Sequence, residues 1–258
     1  MASDANKSYN WGILGCGWLG QAACRAMTGQ GWTCWGTGRA QDTLDAIAHA
    51  GGTPMAWSAD SPDSDVPTPE LLLVALPPSA GMEAFKWAAS RFSGADHTIL
   101  ISSTSVYPGE AGSYVESDAI RRTSPHSGVC LLDLEQLFDP SRTSILRAGG
   151  LFGPGRHPKS FLRGQALRDP EGAVNMVHQT DVVRAILHAA AHRLSGPWNV
   201  VAPEPVSRAE FYHAAGAVDA SPKPDQPLTG RRVLSEALVQ SGFQFQHSNA
   251  AEAVRTLR

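Results

Sequence analysis

Charge of one sign is what this chain lacks most plainly. With 21 Lys and Arg against 24 Asp and Glu in 258 residues, the net charge is −3. No global basic field points to nucleic acid or to an anionic membrane. Long apolar runs are missing too. The longest, LLLVAL at 71–76, falls far short of the about 20 residues that span a bilayer. The opening segment MASDANKSYN has no basic stretch followed by an apolar run, which predicts no signal peptide and a cytoplasmic protein. Cysteine is scarce. Cys16, Cys24, Cys34 and Cys130 show no paired metal spacing, and three of them fall in predicted core elements. They read as free thiols in a reducing compartment. Tyrosine numbers only four, and that scarcity bears on the chemistry below.

What is present is an alternation of strand and helix. NWGIL (10–14) reads as a short buried strand, and a helix follows from about Leu19 to Thr28 with Leu19, Ala22, Ala23, Ala26 and Met27 on one face. WTCWG (32–36) is a second strand, 41–52 a helix closed by glycine, and a short strand lies near TPMAW. The Pro- and Ser-rich 61–70 reads as a surface loop. LLLVAL, apolar on both faces, suits a parallel sheet covered by helices. AGMEAFKWAASRF is helical and 97–104 is again a strand. Such alternation predicts a doubly wound parallel α/β sheet with right-handed crossovers. Further on, 143–150 and 197–202 read as strands and 180–194 as a helix. Ser207 and Glu210 form a capping box, and a helix is expected near 235–241.

Gly15, Gly17 and Gly20 spell GxGxxG between the first strand and the first helix. Gly15 permits the tight turn, Gly17 lets backbone approach a pyrophosphate, and Gly20 lets helix pack close to strand. The helix N-terminus then offers unpaired N–H groups to phosphate. At the end of the second strand stands GTGR. An NAD site usually carries an acid there; here Thr37, Gly38 and Arg39 take its place. A guanidinium suits a 2′-phosphate, so NADP is the expected cofactor, with NAD the other that such a loop accepts.

Several motifs line up with one family. GILGCGWLG, ILISSTSVYP (99–108), ILRAGGLFGPGR (145–156), NMVHQTDVV (175–183) and WNVVAPEPVSRAEFY (198–212) run in family order. The chain resembles the extended and atypical short-chain dehydrogenase/reductases, the NAD(P)-dependent epimerase/dehydratase-like proteins. GxGxxG departs from the usual glycine pattern of extended members and places the chain nearer the atypical ones. The resemblance implies a Rossmann core over 1–155 and a small C-terminal substrate lobe over 156–258, with 174–202 returning to the core. The cofactor-binding set is then Gly15, Gly17, Trp18, Leu19, Gly20, Thr37, Gly38, Arg39, Leu76, Pro77 and Ser102. A catalytic Ser or Thr stands three residues before Val-Tyr in the family, which is Ser103 here. Arg147, which ends a strand, and Arg156, in a loop where relatives contact substrate or cofactor phosphates, are the substrate-binding candidates.

The family's main acid/base, Tyr-xxx-Lys, is absent. Four residues beyond Tyr9, Tyr107, Tyr114 and Tyr212 stand Ile13, Ala111, Asp118 and Gly216. The family often has a glutamate four residues after the lysine; aligning Glu135 there puts Leu131 in the lysine slot and Ser127 in the tyrosine slot. His126, beside that slot and titrating near neutrality, and Tyr114, in the loop after the Ser103 strand, are the candidate proton relays. Asp133 lies two residues past the lysine slot. His188 and His192, four apart on a helix, lack a third ligand, so no metal is expected. The expectation is an NADP-dependent reductase of a carbonyl or imine, or an epimerase-like enzyme, acting on a small molecule. A homodimer is left open as the one macromolecular partner. A non-catalytic dinucleotide sensor, and redox-neutral chemistry in the same pocket, are the alternatives.

Overall fold

A computed structural model describes residues 10–59, 66–123, 128–218 and 227–257. The first half alternates as expected: β1 (Asn10–Leu14), α1 (Trp18–Gly29), β2 (Thr33–Gly38), α2 (Gln41–His49), β3 (Thr53–Ala56), β4 (Leu71–Val74), α3 (Met82–Arg91) and β5 (His97–Ser103). Then come β6 (Gly112–Tyr114), α4 (Leu131–Glu135), β7 (Thr143–Ala148), β8 (Gly150–Phe152), β9 (Met176–His178), α5 (Gln179–Ala191) and β10 (Gly196–Val200). The described chain closes with α6 (Arg208–Ala214), β11 (Arg231–Val233), α7 (Glu236–Gln240) and α8 (Ala250–Arg255).

Seven strands form one sheet in the order β10-β7-β5-β4-β1-β2-β3. β1 pairs in parallel with β2 and β4, β2 with β3, and β4 with β5. This is the doubly wound, Rossmann-type sheet the alternation predicts. The chain winds outward from β1 to β3 and then returns to β4 on the other side of β1. The β1/β4 boundary is therefore the topological switch point, where such sheets open a crevice beyond their C-terminal ends. β4 is buried at every position, as a strand covered on both faces must be. α1 turns Leu19, Ala23, Cys24 and Met27 inward. Gly12 makes room for a tryptophan: a Cβ there would lie 2.2 Å from the Trp35 ring, which is buried across the β1–β2 pair. A buried aromatic of about 150–250 Å² contributes on the order of 4–6 kcal/mol, so the empty position on β1 is well compensated.

Three expectations shift at their edges. The helix over 41–52 stops at His49, because Gly51 takes φ +82° and Gly52 N–H closes the last turn on the Ile47 carbonyl at 3.0 Å. The strand over 143–150 breaks at Gly149, where a Cβ would meet the Asn175 carbonyl oxygen at 2.5 Å. Within the expected surface loop 61–70, Val66 is buried and its carbonyl accepts from Arg91 Nη2 at 2.6 Å.

The chain divides into two compact units. One takes the chain through Ser102, Arg121–Ile145 and Ile186–Gly196; the other takes Ser103–Ile120, Leu146–Ala185 and the chain from Pro197 onward. The second unit has its own core. Phe152, Val206, Phe211, Ala250, Ala251 and Val254 pack together within it, drawing on β8, α6 and α8. Asp181, fully buried, accepts the Gln246 and His247 N–H groups at 2.6 and 3.0 Å. Ser207 caps α6 as expected, its Oγ accepting from Glu210 N–H at 3.1 Å.

Candidate functional site

The glycine turn is built from three constraints. Gly15 takes φ +83°, and a Cβ there would sit 2.9 Å from the Ala75 carbonyl oxygen at the end of β4. Gly20 has no room either: its Cβ would stand 2.8 Å from the Gly15 carbonyl oxygen. Gly17 differs in kind. It is exposed, takes φ −75° as N-cap of α1, and a Cβ there would meet no atom within 4 Å. The fold requires Gly15 and Gly20; nothing in the protein's own packing requires Gly17. That is what a position reserved for close approach of a ligand looks like.

Thr37 ties this turn to β2. Its Oγ1 accepts Gly15 N–H at 2.9 Å and donates to the Ile13 carbonyl at 3.3 Å, while its carbonyl accepts Cys16 N–H at 2.9 Å. Expected among the cofactor residues, Thr37 is buried and serves by fixing the loop. Gly38 is also buried, pressed on by Thr43, whose Cγ2 would lie 2.7 Å from a Cβ. Arg39 is exposed.

Around this turn lies a cavity of about 470 Å³. Its lining comes from the glycine turn (Gly15, Cys16 and Gly17), from Thr37 to Ala40 at the end of β2, and from Ala75, Leu76 and Pro77 after β4. Trp57 and Ser79 also line it. Trp18, Leu19, Gly20 and Ser102 are not among its lining residues. Trp18 opens α1 and the Leu19 side chain packs inward. The N-cap has no side-chain hydrogen bond and the first turn no acid, so the N-terminal end of α1 brings the positive end of its dipole to the turn. A dinucleotide's pyrophosphate fits these features: a cradle that a Cβ at Gly17 would fill, a helix N-terminus, and a guanidinium at the rim.

The other expected residues divide between the two units. Ser102 Oγ donates to Glu135 Oε1 at 2.6 Å within the first unit. Ser103 caps the short turn 104–106, its Oγ accepting from Ser105 N–H at 3.2 Å and Ser105 Oγ–H at 3.0 Å. Tyr114 donates to the Glu110 carbonyl at 3.2 Å and stacks on Tyr107 at 6.1 Å. His126 lies outside the described residues, as does Ser127. Arg156 is exposed and bridges back to Gly153. Arg147 is almost fully buried, donating to the Tyr107 hydroxyl at 3.1 Å and the Glu116 carbonyl at 2.7 Å. Tyr107 in turn donates to Asn199 Oδ1 at 2.6 Å, and burial pushes its phenol pKa up. Among the described residues no cluster of His, Cys, Asp or Glu could hold a metal ion, and no helix is long and apolar enough to cross a membrane.

Residues 227–257, which carry β11, α7 and α8, match the family model "Domain of unknown function (DUF1731)". Protein YeeZ of Escherichia coli is 34% identical over 220 residues, covering 78% of this chain and 80% of its own. The chain belongs to the atypical, epimerase/dehydratase-like short-chain dehydrogenase/reductases. An epimerase family protein of Mycobacterium leprae is 31% identical over 134 residues, 44% of each chain. A human epimerase family protein crystallised with NADPH shares the fold at a TM-score of 0.74 and 16% identity, over 96% of this chain and 98% of its own. For a short-chain dehydrogenase/reductase the chain is unusual on the proton side. With Glu135 taken as the family glutamate, the residue that falls in the lysine slot is Leu131, which is buried at the start of α4, and Glu135 itself accepts from Ser102. Sequence reasoning used Glu135 only to find the register; its bond to Ser102 joins residues 33 apart, and no local pattern announces it.

A second cavity, of about 390 Å³, lies wholly within the second unit. Thr104, Asn175, Tyr212 and three arginines, Arg168, Arg208 and Arg231, line it. Sequence reading took Arg231 and Arg232 only as a short charged patch and gave Arg168 and Arg208 no role, because three separate segments supply these arginines.

Proposed function

We propose that the chain is an NADP-dependent oxidoreductase or epimerase-like enzyme acting on a small molecule. The observation that carries this is the glycine cavity, with Gly17 left open by the fold and Arg39 exposed at its rim. A bound nicotinamide supplies or accepts hydride at its C4. The chain's own residues do the rest. α1 and the turn seat the phosphates, and Arg39 holds the 2′-phosphate in charge-assisted, bidentate fashion. Ser103 positions the reacting oxygen or nitrogen of the substrate. A serine hydroxyl needs a partner to give up its proton, so Tyr114 or His126 relays it. An imine substrate, which can enter already protonated, lowers that demand.

A second reading is favoured by one observation. Without Tyr-xxx-Lys, the same cavity serves a non-catalytic dinucleotide sensor equally well. Two measurements separate them. Calorimetry with NADPH and NADH tests the cofactor site, and NADPH oxidation over a panel of carbonyls and imines tests catalysis. Tight NADPH binding with no turnover across the panel favours the sensor. Absence of NADPH binding by folded protein removes both readings.

A further inference from the structure

We propose that the thiols gathered at the glycine turn form an oxidation site: hydrogen peroxide joins Cys16 to Cys24 as a disulfide, and the cross-link weakens cofactor binding. The effect on the cofactor rests on the reading above; the cross-link itself does not.

Three of the chain's four cysteines meet in the first unit. Cys16 sits in the glycine turn, Cys24 on α1 and Cys34 on β2, and all three are buried. The Cys24 sulfur is hydrogen-bonded to the thiols of both Cys16 and Cys34. The fold leaves room for the sulfurs at two glycines. A Cβ at Gly36 would lie 3.0 Å from Cys16 Sγ. One at Gly52 would lie 2.6 Å from Cys24 Sγ and 3.4 Å from the Cys34 carbonyl oxygen. The fully buried Ile47 side chain packs against both positions. Cys130, the fourth cysteine, is half-buried just before α4.

The three thiols differ in what they can do. Cys16 is the one that lines the cavity of about 470 Å³, so a peroxide entering that cavity meets it first. Cys24 accepts from Cys16 and from Cys34, and these two bonds push its pKa down to about 4. The Cys16 and Cys34 thiols are pushed up, first by their bond to Cys24 and then by burial. Cys24 is therefore the thiolate of the three and the base for its neighbour. Cys34 keeps Cys24 ionised; it is fixed in a strand paired on both sides. In the first step the Cys16 proton passes along the existing hydrogen bond to Cys24. The Cys16 sulfur attacks one peroxide oxygen, the O–O bond breaks and hydroxide leaves, which makes Cys16 a sulfenic acid. The Cys24 sulfur then attacks the Cys16 sulfur. The S–O bond breaks, and the hydroxyl departs with the Cys24 proton as water. The two sulfurs have given two electrons to the peroxide, which ends as hydroxide and water.

A disulfide brings its sulfurs to about 2.05 Å, closer than any hydrogen bond. Cys24 is fully buried within α1, so Cys16 must give. Its N–H donates to the Thr37 carbonyl at 2.9 Å, and its carbonyl accepts from Gln21 Nε2 at 3.3 Å. Drawing its sulfur toward α1 disturbs both bonds and turns the peptide groups of Gly15 and Gly17 on either side. Losing one charge-assisted phosphate contact there is enough to weaken NADPH about tenfold. By linkage, a bound cofactor opposes the cross-link by the same factor.

The test treats the full, folded chain with hydrogen peroxide, removes the oxidant, and maps the cross-link by mass spectrometry of alkylated peptides. A Cys16–Cys24 link within one chain is expected, with Cys34 and Cys130 still alkylated. Saturating NADP⁺, which peroxide does not oxidise, should slow the link by about tenfold or more. Calorimetry should show NADPH bound about tenfold or more weakly by the oxidised protein, with full recovery in dithiothreitol. These readouts need the wild type alone. Cys24→Ala, checked for folding by its melting curve, should bind NADPH equally before and after peroxide. The proposal is overturned if folded wild type forms no Cys16–Cys24 link, if the linked protein binds NADPH as tightly as the reduced one, or if peroxide weakens NADPH equally in Cys24→Ala. Failure of the cofactor reading would show separately: reduced wild type would not bind NADPH, while the link would still form.

Discussion

Replacing Gly17 by Val separates what the glycine turn does for the fold from what it does for a ligand. Gly17 takes φ −75°, which a side chain tolerates, and a Cβ there meets nothing within 4 Å. Two small terms act on stability. Removing glycine lowers unfolded-chain entropy and stabilises by about 0.4–1 kcal/mol. Losing a favoured N-cap residue costs about as much. They offset, so the melting temperature should move by no more than about 4 °C. The branched side chain, however, fills the space beside the first turn of α1. Forfeiting two charge-assisted N–H contacts of roughly 1.5–3 kcal/mol each should weaken NADPH by more than about 100-fold. Gly20→Ala makes the opposite case. Its Cβ would press on the Gly15 carbonyl oxygen at 2.8 Å and on Ile13 Cγ2 at 3.3 Å. Overpacking of this kind costs about 1–3 kcal/mol, partly offset by the better helix propensity of alanine, so a net loss of stability is expected. Melting curves and NADPH calorimetry on both variants decide the matter. A folded Gly17→Val protein that binds NADPH within about twofold of wild type would refute the assignment of the turn.

Three further outcomes are expected. Arg39→Ala should weaken NADPH about tenfold or more and leave NADH unchanged; equal losses in calorimetry would remove the 2′-phosphate role. Stability should fall as pH is lowered from about 6.5 to about 4, because His97 and His178 are held neutral in the fold, their pKa values lowered to about 4 chiefly by burial and secondarily by Arg193 and His247 respectively. In that window the unfolded chain binds protons that the folded chain does not, so the stabilisation is complete above about 6.5 and is lost on the order of 3 kcal/mol per ring by about pH 4; urea melts that do not weaken over this range would contradict it. Once a substrate is found, single-turnover NADPH oxidation should drop about 10²–10⁴-fold in Ser103→Ala and in whichever of Tyr114→Phe and His126→Ala removes the relay, and wild-type rates in all three would exclude the site.

Much of the fold was legible because its signals are local. The glycine turn announces itself in six residues, and LLLVAL, short and set within an alternating pattern, reads as a strand covered on both sides, of which Leu71–Val74 form β4. Sites that depend on register were less visible. Thr37 was readable as a residue near the cofactor, but its bonds to Gly15 and Ile13 exist only because β1 and β2 pair at that offset. Gly12 looked like one more glycine, yet its emptiness is dictated by Trp35 across the sheet. Arg147 shows the limit most clearly. A strand-end arginine near a substrate motif reads as a ligand contact, whereas here it donates to Tyr107 and Glu116. In that network each buried polar group has a partner, and withdrawing the guanidinium to meet a ligand would strand the Glu116 carbonyl.

The proton-transfer question turns on the same distinction between local and distant signals. The absence of Tyr-xxx-Lys can be read with certainty from four tyrosines and their neighbours, because the motif is a spacing rule. A replacement obeys no such rule. Ser102 reaches Glu135 across 33 residues, and Ser103 holds Ser105 beside it, so adjacent hydroxyls on β5 have different partners in consequence of strand alternation. Ser102 is committed as a donor to a carboxylate. Ser103 accepts from the N–H and hydroxyl of Ser105, which leaves its own hydroxyl hydrogen to be given to a substrate atom. Of the two, Ser103 is therefore the one whose polarity suits holding a carbonyl oxygen or imine nitrogen, and Ser102→Ala should alter the α4 contact rather than the rate of hydride transfer.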